Sequence, residues 1–162
     1  MRAHISVVVT FAVVLLFASR GAAQGPIVSF QAGATPIDQE SSLFELGARF
    51  SPRGGFGGDV SIDLYPQAIA AEALAGVVDV SLAANLRVGP VFTLEPRVGA
   101  SILGVVGAGG AVAAPGFSGG VGLVVRFDSR TALRVDYTYR RLMSGDELYT
   151  VPSLTAGFVI HP

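Results

Sequence analysis

Over most of its length the chain alternates apolar and polar residues with a period of two. Phe44, Leu46, Ala48 and Phe50 fall on one face, with Glu45, Gly47 and Arg49 on the other. Val60, Ile62 and Leu64 oppose Asp59, Ser61 and Asp63 in the same way. The rhythm recurs over 78–87, 94–102, 120–127, 133–140 and 153–160, and more weakly over 27–33, where Val28, Phe30 and Ala32 oppose Ser29 and Gln31. Alternation sustained in this way is the signature of strands with two unlike faces, and no comparable helical spacing is present. Eight strands are predicted.

The connections alternate as well. Segments 51–55, 88–91 and 128–130 are short and rich in Gly, Pro, Asp and Ser, the composition of tight turns. Segments 34–42, 66–73, 104–116 and 141–151 are longer and are predicted as loops. Short turns at one end and long loops at the other describe an up-and-down antiparallel barrel. An even strand count closes the sheet and leaves no unpaired edge.

Alternation alone does not say which face points outward. A soluble lipid-binding barrel turns its apolar face inward, whereas a transmembrane barrel turns it outward. The polar face carries six acids, Glu45, Asp59, Asp63, Asp79, Glu95 and Asp136, and six arginines, Arg49, Arg87, Arg97, Arg126, Arg134 and Arg140. Equal numbers suit an enclosed lumen, where a buried charge must be paired. Lysine is absent, and the forked guanidinium suits such pairing better than an ammonium. On the apolar face Phe50, Phe56, Phe92 and Phe127 fall beside short turns, and Phe44, Phe117 and Tyr139 fall at the loop ends. These two groups are predicted to be the aromatic girdles that flank a lipid-facing band. Gly47, Gly99, Gly120, Gly122 and Gly157 lie on the polar face, where a narrow interior needs room for arginines.

Charged residues make up only 14% of the chain, against about a quarter in an ordinary soluble domain. The one long unbroken apolar run, 5–17, follows Arg2 and His4 and precedes Gly21-Ala22-Ala23. It is too short to span a bilayer as a helix and has the layout of a secretory signal peptide. The organisation read from the sequence is therefore a cleaved signal peptide over 1–23 and one barrel domain over 24–162. The chain has no cysteine, which excludes disulfides, thiolate metal sites and a lipid-modified N-terminal cysteine. A formal charge of -1 gives no electrostatic case for nucleic acid.

The strand rhythm, the loop asymmetry and the final strand 151–160 together resemble the small outer-membrane β-barrel superfamily that includes OmpA-like transmembrane domains and OmpX-like proteins. The resemblance spans 24–162. It implies an all-β, eight-stranded antiparallel transmembrane barrel in the outer membrane, a monomer with both termini periplasmic. Its implied partners are outer-membrane lipid, lipopolysaccharide and, during biogenesis, the barrel-insertion machinery. Members usually end on an aromatic residue, whereas this chain ends Ile160-His161-Pro162. That weakens the insertion signal.

Little in the sequence points to catalysis. Barrel hydrolases use a histidine with a Ser or Asp, and the two histidines here are His4, in the signal peptide, and His161, beside the last residue. Asp59, Asp63 and Asp79 have arginines as simpler partners than a metal. Asp146 and Glu147 read as a solvated loop. The Gly-rich run 104–116 lacks the following helix and Lys of a phosphate-binding loop. No cofactor, metal or catalytic residue is expected. Two classes remain: a structural or surface-interaction barrel with a lumen plugged by Arg–acid pairs, and a minor pore or carrier. A soluble periplasmic barrel with the faces inverted is the third.

Overall fold

A computed structural model describes residues 27–36 and 41–160. Eight strands form one closed antiparallel barrel in sequence order. They are β1 (Ile27–Pro36), β2 (Ser42–Ser51), β3 (Gly55–Leu64), β4 (Ala73–Val88), β5 (Phe92–Gly107), β6 (Gly110–Arg126), β7 (Thr131–Ser144) and β8 (Glu147–Ile160). A one-turn helix, α1 (Gln67–Ala70), joins β3 to β4. The seam is closed by β1 against β8, with Val28 opposite Ile160 and Phe30 opposite Phe158. Following register partners once round the barrel displaces the position along β1 by ten residues. That stagger corresponds to a strand tilt of about 40°. The segment expected to be a signal peptide, its expected cleavage point and both histidines lie outside the described residues.

The three short turns lie at one end, and Gly89 in the second takes a left-handed φ of 76°, a conformation open to glycine without strain. The opposite end departs from the sequence reading. Segment 104–116 was expected to be a loop but is mostly strand: β5 runs to Gly107 and β6 starts at Gly110. Segment 141–151 is likewise a hairpin, turning at Gly145, whose φ is 62°. Small apolar residues gave no clear period-two contrast, yet partner strands satisfy their backbone all the same. The strands β4, β5 and β6, with 16, 16 and 17 residues, therefore overshoot the rest. At about 3.4 Å per residue and this tilt, 16 residues rise about 40 Å, beyond the roughly 25 Å of a lipid-facing band.

The facing is inside-out relative to a soluble protein. Leu82, Val98, Leu154 and Phe158 are 48–66% exposed on the outside, while Glu45, Asp63 and Arg140 are fully buried inside. This arrangement rules out the inverted, soluble barrel. Interior apolar packing is slight, the largest cluster being Ile27, Val124, Ala132 and Val159 at the short-turn end.

Candidate functional site

The inward positions of the strands bring ten of the twelve charged residues expected in the lumen into its interior, each at most 7% exposed: Glu45, Arg49, Asp59, Asp63, Asp79, Glu95, Arg97, Arg134, Asp136 and Arg140. They form two layers.

The layer nearer the short turns is balanced, with three arginines and three acids. Arg134 holds Asp136 through Nε at 2.5 Å and Glu95 through Nη2 at 2.7 Å. Its Nη1 donates to Ser51 at 3.0 Å. Arg97 reaches Asp136 at 2.5 Å and donates to Thr138 at 2.7 Å. Arg49 lies 3.5 Å from Asp59 and 3.8 Å from Asp136. Gly122 makes this crowding possible: a Cβ there would stand 2.5 Å from Asp136 Oδ1 and 3.1 Å from Arg134 Nη2.

The layer nearer the long strands is acidic. Arg140 alone serves Asp63 and Asp79, each at 2.7 Å, and stands 3.7 Å from Glu45. Neutral donors take up the remaining carboxylate oxygens. Gln31 donates to Asp63 at 3.0 Å, Thr35 to Glu45 at 2.6 Å, Ser153 to Glu45 at 3.3 Å and Ser61 to Asp79 at 3.1 Å. Ser101 also donates to Asp79. A buried carboxylate without such partners would carry a large desolvation cost. Sequence reasoning passed over these hydroxyls and the amide, although each occupies an inward position in the same alternation.

Arg87 and Arg126 depart from the expected network. Arg87 is exposed and Arg126 half-exposed, and among the described residues neither makes an ion pair. Both lie beyond the last inward acid, at the short-turn mouth, where they line a cavity. The enclosed lumen therefore holds six acids against four arginines, and the equality read from the sequence does not hold inside it. Asp63 and Asp79 meet at Arg140, whereas Asp59 sits in the other layer, so the three aspartates do not converge. No group of three His, Asp or Glu among the described residues is arranged to hold a metal ion.

The seven aromatic residues expected in the girdles all lie on the outer surface. Phe56, Phe92 and Phe127 are 70%, 47% and 64% exposed at the short-turn end, with Phe50 half-buried beside them. Phe44, Phe117 and Tyr139 are exposed toward the other end. Phe30, Phe158 and Tyr137 join the outer face.

An apolar exterior, a charged interior and a closed eight-stranded meander define the class: a small transmembrane β-barrel. The chain matches no protein-family model and no curated protein sequence. Solved structures do share its fold. The chain is similar to the N-terminal β-barrel domain of Pseudomonas aeruginosa OprF, with a TM-score of 0.58 and 10% identity over 85% of this chain and 99% of that one. Neisserial surface protein A gives 0.55 and 13%, over 85% and 96%. Ail, the attachment invasion locus protein of Yersinia pestis, gives 0.54 and 15%, over 85% and 98%. The architecture is thus that of the eight-stranded outer-membrane barrels.

Proposed function

We propose that this protein is a non-enzymatic integral outer-membrane barrel whose lumen is plugged and whose work is done at its outer surface, as a structural or surface-interaction protein. The observation that carries the reading is the two-layer network of ten buried charges across the lumen. An eight-stranded barrel has an interior just wide enough for its own side chains. Here those side chains are tied to one another, so a solute passing through would have to break several buried ion pairs at once.

The outer end offers the contact surface. Segment 104–116 has no charged residue, and pairing of β6 with β7 begins only at Gly116. Gly110–Pro115 therefore presents backbone groups on one edge that the barrel does not pair. An open strand edge is a template for adding another chain. The proposed setting is the outer membrane after export and signal-peptide removal, with both termini periplasmic and the barrel as a monomer. Its proposed neighbours are outer-membrane lipid, lipopolysaccharide and, during biogenesis, the insertion machinery.

Recording of purified protein in planar bilayers tests the plugged lumen. Little steady conductance is expected from the unmodified chain. A large, stable single-channel current would overturn the reading and establish the pore in its place.

A further inference from the structure

The two inward-facing arginines that the lumen network does not use, Arg87 and Arg126, gather at one place. The mouth at the short-turn end opens into a cavity of about 320 Å³. Its wall includes Arg53 from the first turn, Arg87 near the end of β4, Arg126 at the end of β6 and Arg134 on β7. Its one carboxylate, Glu95, is already engaged by Arg134 at 2.7 Å. Arg134 is committed in turn to Asp136 and Ser51. Arg87 and Arg126 have no acid partner among the described residues, yet both face the same space. Register places Arg87 there, since Arg87 pairs with Thr93, Thr93 with Val124 and Val124 with Arg134, and Arg126 follows two residues after Val124 on the same face of β6.

Convergent guanidiniums in a concave wall repel one another. That repulsion is relieved by an anion that accepts from more than one of them. The planar fork of arginine matches the oxygens of a phosphate and can hold them bidentately. The lining also has an apolar part, with Ile27, Val124 and Val159. The volume is about ten times the share of one water in the liquid, enough for a phosphate group together with a small organic substituent or its hydration.

We propose that this mouth is a phosphate-binding site, in which Arg87 and Arg126 contact the oxygens and the Ile27–Val124–Val159 wall receives whatever the phosphate is attached to. The phosphate is either free in solution or carried on a lipid headgroup at the level of the short turns. The site does not depend on whether the lumen conducts.

The test uses the full barrel folded in a phosphate-free maltoside detergent, with inorganic phosphate and a short-chain phosphatidic acid as two separate probes in calorimetric titration. Saturable binding of at least one probe is expected. The Arg87→Gln/Arg126→Gln variant is expected to bind about tenfold or more weakly, as follows from losing charge-assisted bonds. Arg130→Gln, in an exposed turn and outside the cavity, is expected to match the wild type. Binding of phosphatidic acid without inorganic phosphate assigns the headgroup as the source, and binding of both with similar affinity assigns the free anion. Arginine modification by phenylglyoxal, read by mass spectrometry on the wild type, keeps the test open if the double variant fails to fold. Either probe should protect Arg87 and Arg126 but not Arg130. Absence of saturable binding by both probes, equal loss in Arg130→Gln, or no selective protection would overturn the proposal.

Discussion

Arg97 and Asp136 are 39 residues apart in sequence and 2.5 Å apart in the lumen. They stand on β5 and β7, which are not neighbours, so their contact passes across the inner face of β6. Gly120 and Gly122 occupy that face. A Cβ on Gly120 would come within 3.2 Å of the Arg97 guanidinium. The ion pair and the two glycines are one structural feature seen from three strands.

Gly122→Ala should therefore destabilise the barrel. The added carbon meets Asp136, Arg134 and Arg97, all held by several bonds and unable to withdraw cheaply. Overpacking of this kind costs about 1–3 kcal/mol. Gly119→Ala, whose nearest neighbour would be a backbone oxygen at 3.8 Å, should be neutral. Urea unfolding in detergent, followed by circular dichroism, compares them. Equal stabilities would show that the network has slack.

Loss of Arg140 should cost more than loss of Arg97. Without Arg140 its layer keeps Glu45, Asp63 and Asp79 and no cation, whereas without Arg97 the carboxylate of Asp136 keeps Arg134. Breaking a buried pair typically costs about 3–5 kcal/mol, less where water enters. Arg140→Gln should approach that range, Arg97→Gln should fall below it, and adding Asp79→Asn to Arg140→Gln should restore part of the loss. A double-mutant cycle on unfolding free energies measures the coupling. A ranking with Arg97 above Arg140 would contradict the layered charge distribution.

Charge on the outer surface should be far more damaging than charge at a position facing the polar interior. Leu82 is 48% exposed to the outside and Ser81 is buried inside. Leu82→Arg should cost about 2–4 kcal/mol if it lies near the bilayer midplane, and its folding yield in liposomes should fall accordingly. Ser81→Arg should act by crowding, and a smaller substitution at that position, Ser81→Ala, should fold at near wild-type yield. Comparable liposome yields for Leu82→Arg and Ser81→Ala would argue against a lipid-facing Leu82.

The turn between β6 and β7 should keep its order to unusually low pH. The Asp128 carboxylate accepts from the Thr131 hydroxyl at 2.6 Å and from the amides of Arg130 and Thr131 at 2.7 and 2.8 Å. These bonds, the hydroxyl foremost, hold its pKa below the ordinary 3.8. A depressed folded-state value means the contribution is complete above 3.8 and is lost as pH falls through the lower folded value. Amide exchange at Arg130 and Thr131 should rise only below that ordinary value in the wild type, and should be fast at neutral pH in Asp128→Ala. Early loss, at or above the ordinary value, would deny the carboxylate this role.

Strand number, facing and the identity of the inward residues were legible in the sequence because a period of two is a local property. Phe44 and Glu45 declare opposite faces by adjacency alone, and a closed barrel needs only that such segments be even in number. The partners of those residues were not legible. Register is set by how whole strands slide against one another, and it alone puts Arg140 between Asp63 and Asp79 and draws Arg49 toward both Asp59 and Asp136. Depth along the axis was equally hidden. Arg87 and Arg134 share the inward face and the same residue type, and both line the mouth, but one is exposed there and the other is buried against Glu95 and Asp136. The length of β5 and β6 was decided in three dimensions too, since the run of Gly, Ala and Val over 104–116 becomes strand by pairing with its neighbours rather than by any pattern of its own. Alternation fixes which way a side chain points; only closure of the sheet fixes what it meets there.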